Sequence, residues 1–164
     1  MKLFINEKNS WGAEELEILN ENEEVCYTAK GNSAQARKLI NLYDANEQEI
    51  GIIRKNHLGL ISQFYVEVYD QLFGNIDIVA TTIFTLKYNV DLFGWTVKRN
   101  YLDTKYSLYK DNELIASFTR RQKGANSQYE IDLVDSSAKI PVILYILSLH
   151  TVSAYSCNKN IAAM

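Results

Sequence analysis

The sequence predicts an all-β domain, a sandwich or a barrel, that is built from a repeated unit and completed by a buried C-terminal helix. Short runs of alternating apolar and polar residues are separated by Asn, Asp and Gly clusters about every ten residues, as in such sheets. One strand pattern occurs twice, because residues 62–70 read SQFYVEVYD and residues 127–135 read SQYEIDLVD. Residues 140–155 break the alternation with an almost continuous apolar run.

The alternating runs define a series of short predicted strands joined by tight turns. Turns are predicted at residues 20–23, 44–47 and 110–113, because Asn and Asp tolerate a left-handed φ and bond their own backbone. The predicted strands cover residues 16–19, 25–30, 38–43, 49–54, 64–69, 77–82, 85–90, 95–98, 106–109, 114–119 and 129–134.

The repeat spans residues 25–70 and 93–135 of a single domain that covers residues 1–164. Residues 27–32 align with residues 95–100, and short gaps in the loops separate the other matches, as expected for repeated supersecondary units. The positions aligned at an offset of 66 include Leu42 with Leu108, Tyr43 with Tyr109, Arg54 with Arg120 and Lys55 with Arg121.

The repeat also predicts which side chains point inward, because successive residues of a strand face opposite sides of the sheet. The predicted inward-facing residues are Phe64, Val66 and Val68 with their counterparts Tyr129, Ile131 and Leu133, and Ile50 and Ile52 with Ala116 and Phe118. The predicted outward-facing residues are Tyr65 and Glu67 with Glu130 and Asp132.

The C-terminal apolar run predicts a helix over about residues 139–156. A helix that is hydrophobic on every face must lie in a core or in a membrane. Sixteen helical residues span roughly 24 Å, short of the ~30 Å hydrocarbon layer, and Asn158, Lys159 and Asn160 follow at once. We therefore expect the helix to be the centre of the core, with Pro141 in its first turn, and not a segment of an integral membrane protein.

Composition excludes some functions and compartments. With 17 basic and 20 acidic residues the net charge is −3, without the strong basic footprint of a nucleic-acid binder. Cys26 and Cys157 are too few for a disulfide framework, and the apolar start of the chain is too short for a signal-peptide core. We therefore expect a reducing, cytoplasmic environment.

Motifs for catalysis, metal binding or cofactor binding are missing from the sequence. The glycines form neither a dinucleotide nor a phosphate-loop spacing, and common nucleophile and zinc motifs are absent. We therefore expect no enzymatic activity, no catalytic residue, no metal and no cofactor. His57 is interpreted as a loop residue and His150 as a hydrogen-bonded core histidine. A pairing of His150 with Cys26 or Cys157 stays open, because proximity in space is not visible in the sequence.

Six segments, by their order and spacing, carry a resemblance to a known family. They are residues 1–5 (MKLFI), 53–66, 84–91 (FTLKYNVD), 95–97 (WTV), 114–117 (LIAS) and 129–132 (YEID). With the apolar helix that follows, they resemble the LURP-one-related family of the tubby C-terminal-like superfamily, which also contains phospholipid scramblases. The resemblance implies a closed 12-stranded antiparallel barrel around a central helix, a membrane-associated role and no enzymatic activity. Arg99 departs from the glycine that the family usually has there.

Cations at the ends of predicted strands form the candidate ligand-binding site. They are Arg54, Lys55, Lys98, Arg99, Arg120 and Arg121. Such side chains bind phosphate, so together with the implied membrane role they predict peripheral recognition of anionic phospholipid head groups at a cytoplasmic membrane surface. The same charges would also keep the protein soluble and discourage pairing between strand edges.

Two other functions are compatible with the sequence. One is a protein-interaction module that uses exposed tyrosines, which are numerous at 11 in this chain. The other is a small-molecule carrier or an enzyme with a site at the barrel rim. A barrel that is filled by its own helix leaves little interior for a ligand, which disfavours the second of these.

Overall fold

The protein is described by a computed structural model over residues 1–10, 13–31, 38–56, 62–82, 85–91, 94–100, 105–123 and 126–162. These ranges contain twelve strands, a single-turn 3-10 helix at Ser136–Ala138 and the helix α1 (Lys139–Ala162). The strands are β1 (Lys2–Ser10), β2 (Ala13–Leu19), β3 (Val25–Gly31), β4 (Lys38–Asp44), β5 (Glu49–Asn56), β6 (Ser62–Val68), β7 (Gln71–Thr82), β8 (Thr85–Asp91), β9 (Trp95–Asn100), β10 (Lys105–Lys110), β11 (Glu113–Lys123) and β12 (Asn126–Leu133).

The strands form one antiparallel sheet in the order β8-β7-β6-β5-β4-β3-β2-β1-β12-β11-β10-β9. Apart from β8 and β9, strands that follow each other in the chain are neighbours in the sheet, and β1 joins the two halves by pairing with β12, with Leu3 opposite Ile131. The predicted mainly β fold with a C-terminal helix is confirmed. Strands β8 and β9 are outermost in this order, so closure of the sheet into a barrel stays a prediction.

Most predicted strands and all three predicted turns have counterparts in the structure, with two differences. Strand β1 was not predicted, although its pairing with both β2 and β12 makes it central to the sheet. Strand β7 begins at Gln71 rather than Asp77, because its pairing with β6 continues across Gly74 and a register shift beside it. Gly and Asn near residues 74–75 weaken a strand locally, and non-local pairing overrides that preference.

The helix α1 is buried over its first half. The six residues from Val142 to Leu147 are each at most 1% exposed, so every face of the helix is buried there. Leu149 and the predicted inward-facing residue Val68 are only partly buried, whereas the other predicted inward-facing residues Val66, Ile131 and Leu133 are buried. In the described part of the chain, no helix is both long enough and apolar enough to cross a membrane.

The predicted face assignments are confirmed for β6, β11 and β12. Val66 and Ile131 are fully buried, whereas Glu67 and Asp132 reach solvent. In β5, Ile50 is buried in the core as predicted, whereas Ile52, although buried, stands opposite the outward-facing Glu67. It is Gly51 that faces the helix there, because a Cβ atom at Gly51 would lie 2.6 Å from Cδ1 of Leu144.

Register explains this error of one residue. Strands β5 and β6 pair as β11 and β12 do at a constant offset of 65, and a bulge in each repeat leaves Ile50 and Ile115 without a partner in the ladder to the preceding strand. The matched pairs are Gly51–Val68 with Ala116–Leu133, Ile53–Val66 with Phe118–Ile131, and Lys55–Phe64 with Arg120–Tyr129. Arg120 therefore corresponds to Lys55 and not, as predicted, to Arg54.

Candidate anion-binding rim

The antiparallel pairing places the predicted cations at one end of the sheet. Strands β5, β9 and β11 run in the same direction, since an even number of antiparallel steps separates them, and each carries its basic pair towards its C-terminal end. We call this end the basic end. The opposite end, where α1 begins and tight turns at residues 20–23, 44–47, 69–70 and 111–112 join the strands, is called the turn end.

Within the basic end the cations form two separate groups. Strands β9 and β11 have only β10 between them, so Lys98, Arg99, Arg120 and Arg121 belong to one stretch of the sheet. Strand β5 lies six strands from β11, which places Arg54 and Lys55 in a different stretch. The sequence predicts that the cations lie at strand ends, but it does not predict that they form two separate groups.

Alternation along the strands sorts the cations by face. Arg120 follows buried Ala116 and Phe118 on the inner face and stands opposite buried Tyr129. Its guanidinium carbon lies 5.9 Å from the centre of the Tyr129 ring, while the side chain itself is exposed at the rim. Lys55 holds the corresponding position of the first repeat, opposite Phe64.

Two other cations are engaged in ion pairs on the outer face. Arg54 Nη2 lies 3.3 Å from Glu67 Oε2, and Arg121 Nη2 lies 2.9 Å from Glu130 Oε2. Surface pairs of this kind contribute about 0 to 1 kcal/mol, so they leave both arginines able to exchange partners.

The cations of β9 lie near the edge of the strand order. Lys98 is exposed, and its Nζ is 4.7 Å from the centre of the Tyr109 ring. Arg99 stands opposite Tyr106 in the register, but its side chain lies outside the described residues, as does the expected effect of the missing glycine there.

Beneath Arg120 lies a buried polar pair that joins the sheet to the helix. The Tyr129 hydroxyl and His150 Nδ1 share a hydrogen bond of 3.2 Å, and the two residues are 3% and 7% exposed. The interpretation of His150 as a hydrogen-bonded core histidine is confirmed. Its partner was not predictable, because 21 residues separate the two and only the packing of α1 brings them together.

Charge is distributed unequally between the two ends among the described side chains. The turn end exposes only two lysines, Lys2 and Lys110, beside ten carboxylates, and the basic end exposes six cations. The exposed carboxylates of the turn end are Glu21, Glu23, Glu24, Glu47, Glu49, Asp70, Asp111, Glu113, Asp132 and Asp135. The exposed cations of the basic end are Lys8, Lys30, Lys98, Lys105, Arg120 and Arg121.

Local hydrogen bonds keep two carboxylates of β12 and its following turn ionised. The hydrogen bond from Lys2 Nζ to Glu130, with the nearby charge of Arg121, lowers the pKa of Glu130, against the opposing effect of burial. Hydrogen bonds from the Ser137 hydroxyl and backbone lower the pKa of Asp135, where that carboxylate caps the single-turn helix.

The described residues offer little to a metal ion or a nucleophile. Across the described ranges, no group of three or more His, Cys, Asp and Glu side chains is placed to hold a metal. Cys26 is a free thiol near the turn end, on the side of β3 opposite to buried Ala29, and its Sγ lies 3.6 Å from the Glu24 carbonyl oxygen. It therefore does not lie beside His150. The side chain of Cys157, like residue His57, lies outside the described residues.

Comparison with known proteins agrees with this architecture. The model of the LURP-one-related family matches residues 1–144, so the chain belongs to that family. A crystal structure of a protein from Arabidopsis thaliana has a similar fold, with a TM-score of 0.53 at 13% sequence identity, and the alignment covers 91% of each chain. At that identity the similarity concerns the fold alone. The search of curated proteins found no match.

Proposed function

We propose that this member of the LURP-one-related family is a non-enzymatic binding module of the cytoplasm that docks peripherally on anionic phospholipid head groups through its basic end. The observation that carries the proposal is the separation of charge, with exposed cations at one end of the sheet and exposed carboxylates at the other. An anionic membrane attracts the first end and repels the second, so the charge separation also orients the protein. No cofactor is needed for such a role.

The proposal includes closure of the sheet into a barrel around α1. In the first repeat, β3 pairs by hydrogen bonds with the strand before it, β2. The corresponding strands of the second repeat are β9 and the strand before it, β8, so the repeat favours pairing of β8 with β9. A contact near the two ends of the strand order supports this, because the ring centres of Phe73 in β7 and Trp95 in β9 are 5.8 Å apart. A closed sheet would bring the rim cations into a ring about the helix.

The rim cations differ in what they would contribute. Arg120 and Lys98 are exposed, and each lies against an aromatic ring whose face attracts a cation. Arg54 and Arg121 would exchange a glutamate for a phosphate, and Lys55 and Arg99 complete the predicted set. Each cation near the surface would contribute about 1 kcal/mol, so binding would need several at once and would weaken with salt.

Vesicle co-sedimentation tests this function. We expect the protein to pellet with vesicles that contain phosphatidylserine and to remain in solution with phosphatidylcholine vesicles, and added salt should release it. Arg120→Glu should weaken binding about fivefold or more, since it removes one attractive contact and adds a repulsive one. Lys110→Glu is the matched control, because it changes the net charge equally at the turn end. Equal losses in both variants, or binding that ignores phosphatidylserine, would contradict the proposal.

A carrier or an enzyme with a rim site is supported less well. Helix side chains from Val142 to Leu147 fill the space inside the sheet and are almost completely buried. A protein-interaction role is better supported, because exposed apolar side chains lie at the turn end.

A further inference from the structure

Exposed apolar side chains collect at the turn end, opposite the predicted lipid-binding end. Among the described side chains, each of the large apolar residues with substantial exposure lies there. They are Met1, Val25, Tyr69, Leu72, Leu114 and Val134. Tyr69 is the first residue of the two-residue turn between β6 and β7, Leu72 is the second residue of β7, and the two are 61% and 59% exposed.

The turn itself does not account for the tyrosine. Tyr69 and Asp70 both have a left-handed backbone, with φ of 48° and 61°, which favours Gly, Asn or Asp and disfavours a bulky aromatic residue. Another two-residue turn with a left-handed backbone, between β10 and β11, has Asp111 and Asn112, which suit that conformation. Folding alone would therefore select a small polar residue at Tyr69, and the ring is neither buried nor needed for the turn.

A shallow acidic groove adjoins this turn. It is lined by Glu49, Glu67 and Asp70 and by residues 50–52, and it encloses about 190 Å3, including space open to solvent. The groove is open to solvent, so it offers carboxylates to the charged end of a side chain rather than an enclosed pocket for a small molecule. Arg54 pairs with Glu67, so the groove keeps a net negative charge from Glu49 and Asp70.

We propose that the β6–β7 turn and this groove dock a segment of another protein that carries both apolar and cationic side chains. Apolar residues of the segment would pack on Tyr69 and Leu72, while a Lys or Arg side chain would enter the groove between the carboxylates. An exposed tyrosine beside an apolar residue is a common anchor in protein interfaces. Charge complementarity selects the partner, because the carboxylates that surround the turn repel acidic segments and anionic membranes.

This surface is at the opposite end of the sheet from the cations, so the inference stands independently of lipid binding. Bound at both ends, the protein would connect a partner to a membrane surface. A cationic end of a second copy of this chain also has the required charge, and the experiment distinguishes the two occupants.

The test compares two equivalent positions in the repeats. Val134 corresponds to Tyr69 at the offset of 65: its N–H donates to Ile115 O as that of Tyr69 donates to Ile50 O, and an aspartate follows each residue. Val134 is likewise 66% exposed. Tyr69→Asn suits the left-handed backbone and should leave the melting temperature unchanged or slightly raised, and Val134→Asn is its matched control.

Fluorescence anisotropy with labelled synthetic peptides provides the measurement. A peptide of Lys and Leu should bind more tightly than peptides of Lys and Ser or of Glu and Leu, because only the first has both required properties. Tyr69→Asn should weaken the Lys and Leu peptide about tenfold, as expected for the loss of an interface anchor, and Val134→Asn should not.

Any one of several results would overturn the inference. They are equal binding of the three peptides, equal losses in the two variants, and self-association in sedimentation that Tyr69→Asn abolishes. The last result would identify a second copy of the chain as the occupant. Retained affinity in Tyr69→Asn, with its fold intact by melting, would also exclude the tyrosine as the anchor.

Discussion

Strands β5 and β6 of the first repeat and β11 and β12 of the second have the same register, but their inner faces differ where each meets the helix. In the first repeat, Gly51 allows Leu144 to approach the backbone, whereas Ala116 holds the corresponding place in the second. In the second repeat, Tyr129 shares a hydrogen bond with His150, whereas Phe64 holds the corresponding place in the first. The sheet is repeated, and the helix inside it is not.

A single helix cannot present the same surface to two equivalent halves of a sheet. The first repeat accommodates the close approach of Leu144 at Gly51, and the second accommodates the polar side chain of His150 at Tyr129. Gly51 and Tyr129 are therefore the positions at which the repeats had to differ, and their differences follow from packing rather than from ligand binding. Differences at the rim and at the turn end, such as Lys55 with Arg120 or Tyr69 with Val134, have no such cause in the core. Those positions are the better candidates for function.

The largest expected effect comes from removing the element that the repeats share. A chain that ends at Asp135 loses Val142 to Leu147, whose burial contributes about 9 to 18 kcal/mol at 1.5 to 3 kcal/mol for each side chain. That exceeds the roughly 5 to 15 kcal/mol of net stability of a typical domain, so the fragment should not fold. Circular dichroism and thermal melting are the measurements. A fragment that stays soluble and melts cooperatively would show that the repeated sheet is sufficient.

A smaller effect is expected where the helix approaches the first repeat. Gly51→Ala would place a methyl group 2.6 Å from Cδ1 of Leu144, so this fully buried side chain would have to shift against its neighbours in the core. Overpacking of this kind costs about 1 to 3 kcal/mol in the free energy of unfolding. Chemical denaturation measures that loss.

The matched control for Gly51→Ala is the double variant with Leu144→Ala. Because Leu144→Ala removes the clashing atoms, the two changes should be less destabilising together than their sum, which is a coupling between neighbours. A Gly51→Ala variant as stable as the parent, or strictly additive changes, would mean that the close approach is not a constraint on the repeat.

These positions show how far the sequence alone predicts the fold. The inner and outer faces of β6 and β12 follow from alternation, because Phe64, Val66 and Ile131 are buried with outward residues between them. In β5 residues 50–53 are all buried, so the pattern contains no alternation from which to read a direction. The offset of 66 that matches β4 with β10 falls to 65 between β5 and β11, because the connection from Tyr43 to Glu49 is one residue longer than that from Tyr109 to Leu114. The bulges at Ile50 and Ile115 add to the difficulty, since a bulge depends on pairing between strands and is not written in either strand alone.

The candidate site was predictable to the same extent. Basic residues near strand ends indicate a rim, and the direction of each strand follows from an antiparallel order. The sequence alone does not show whether a cation such as Arg120 faces inward, because a bulge interrupts the alternation of faces along the strand. Ion pairs such as that of Arg54 with Glu67 depend on which strands are neighbours in the sheet. The contact of Tyr129 with His150 depends on the axial position of the helix, for which the sequence has no local signal.

Removing the hydrogen bond between Tyr129 and His150 should reduce the stability of the fold moderately. Tyr129→Phe makes the two repeats alike at this position and removes one hydrogen bond to His150, at a cost of about 0.5 to 1.5 kcal/mol in the free energy of unfolding. The same variant in a His150→Leu background should cost less, since the partner is already gone, and the difference measures the coupling. Denaturation in urea decides, and a Tyr129→Phe variant with undiminished stability would show that the hydrogen bond does not stabilise the fold.

The smallest expected effect is on stability in acid, and it arises at Glu130, whose counterpart in the first repeat is Tyr65. The hydrogen bond from Lys2 and the charge of Arg121 lower the pKa of Glu130 in the folded state below its ordinary value of 4.5. A group whose pKa falls on folding contributes stability above its unfolded pKa and loses it as the pH falls through the folded pKa. The contribution is present at neutral pH and disappears below about pH 4.5, at a size of roughly 0.2 to 1 kcal/mol for a solvent-screened pair.

Glu130→Gln should therefore be less stable than the parent at pH 7, and the difference should shrink in acid. Stability measured by urea denaturation at both pH values tests this, with Asp132→Asn as the neighbouring control, and an unchanged difference in acid would exclude Glu130 as the titrating group.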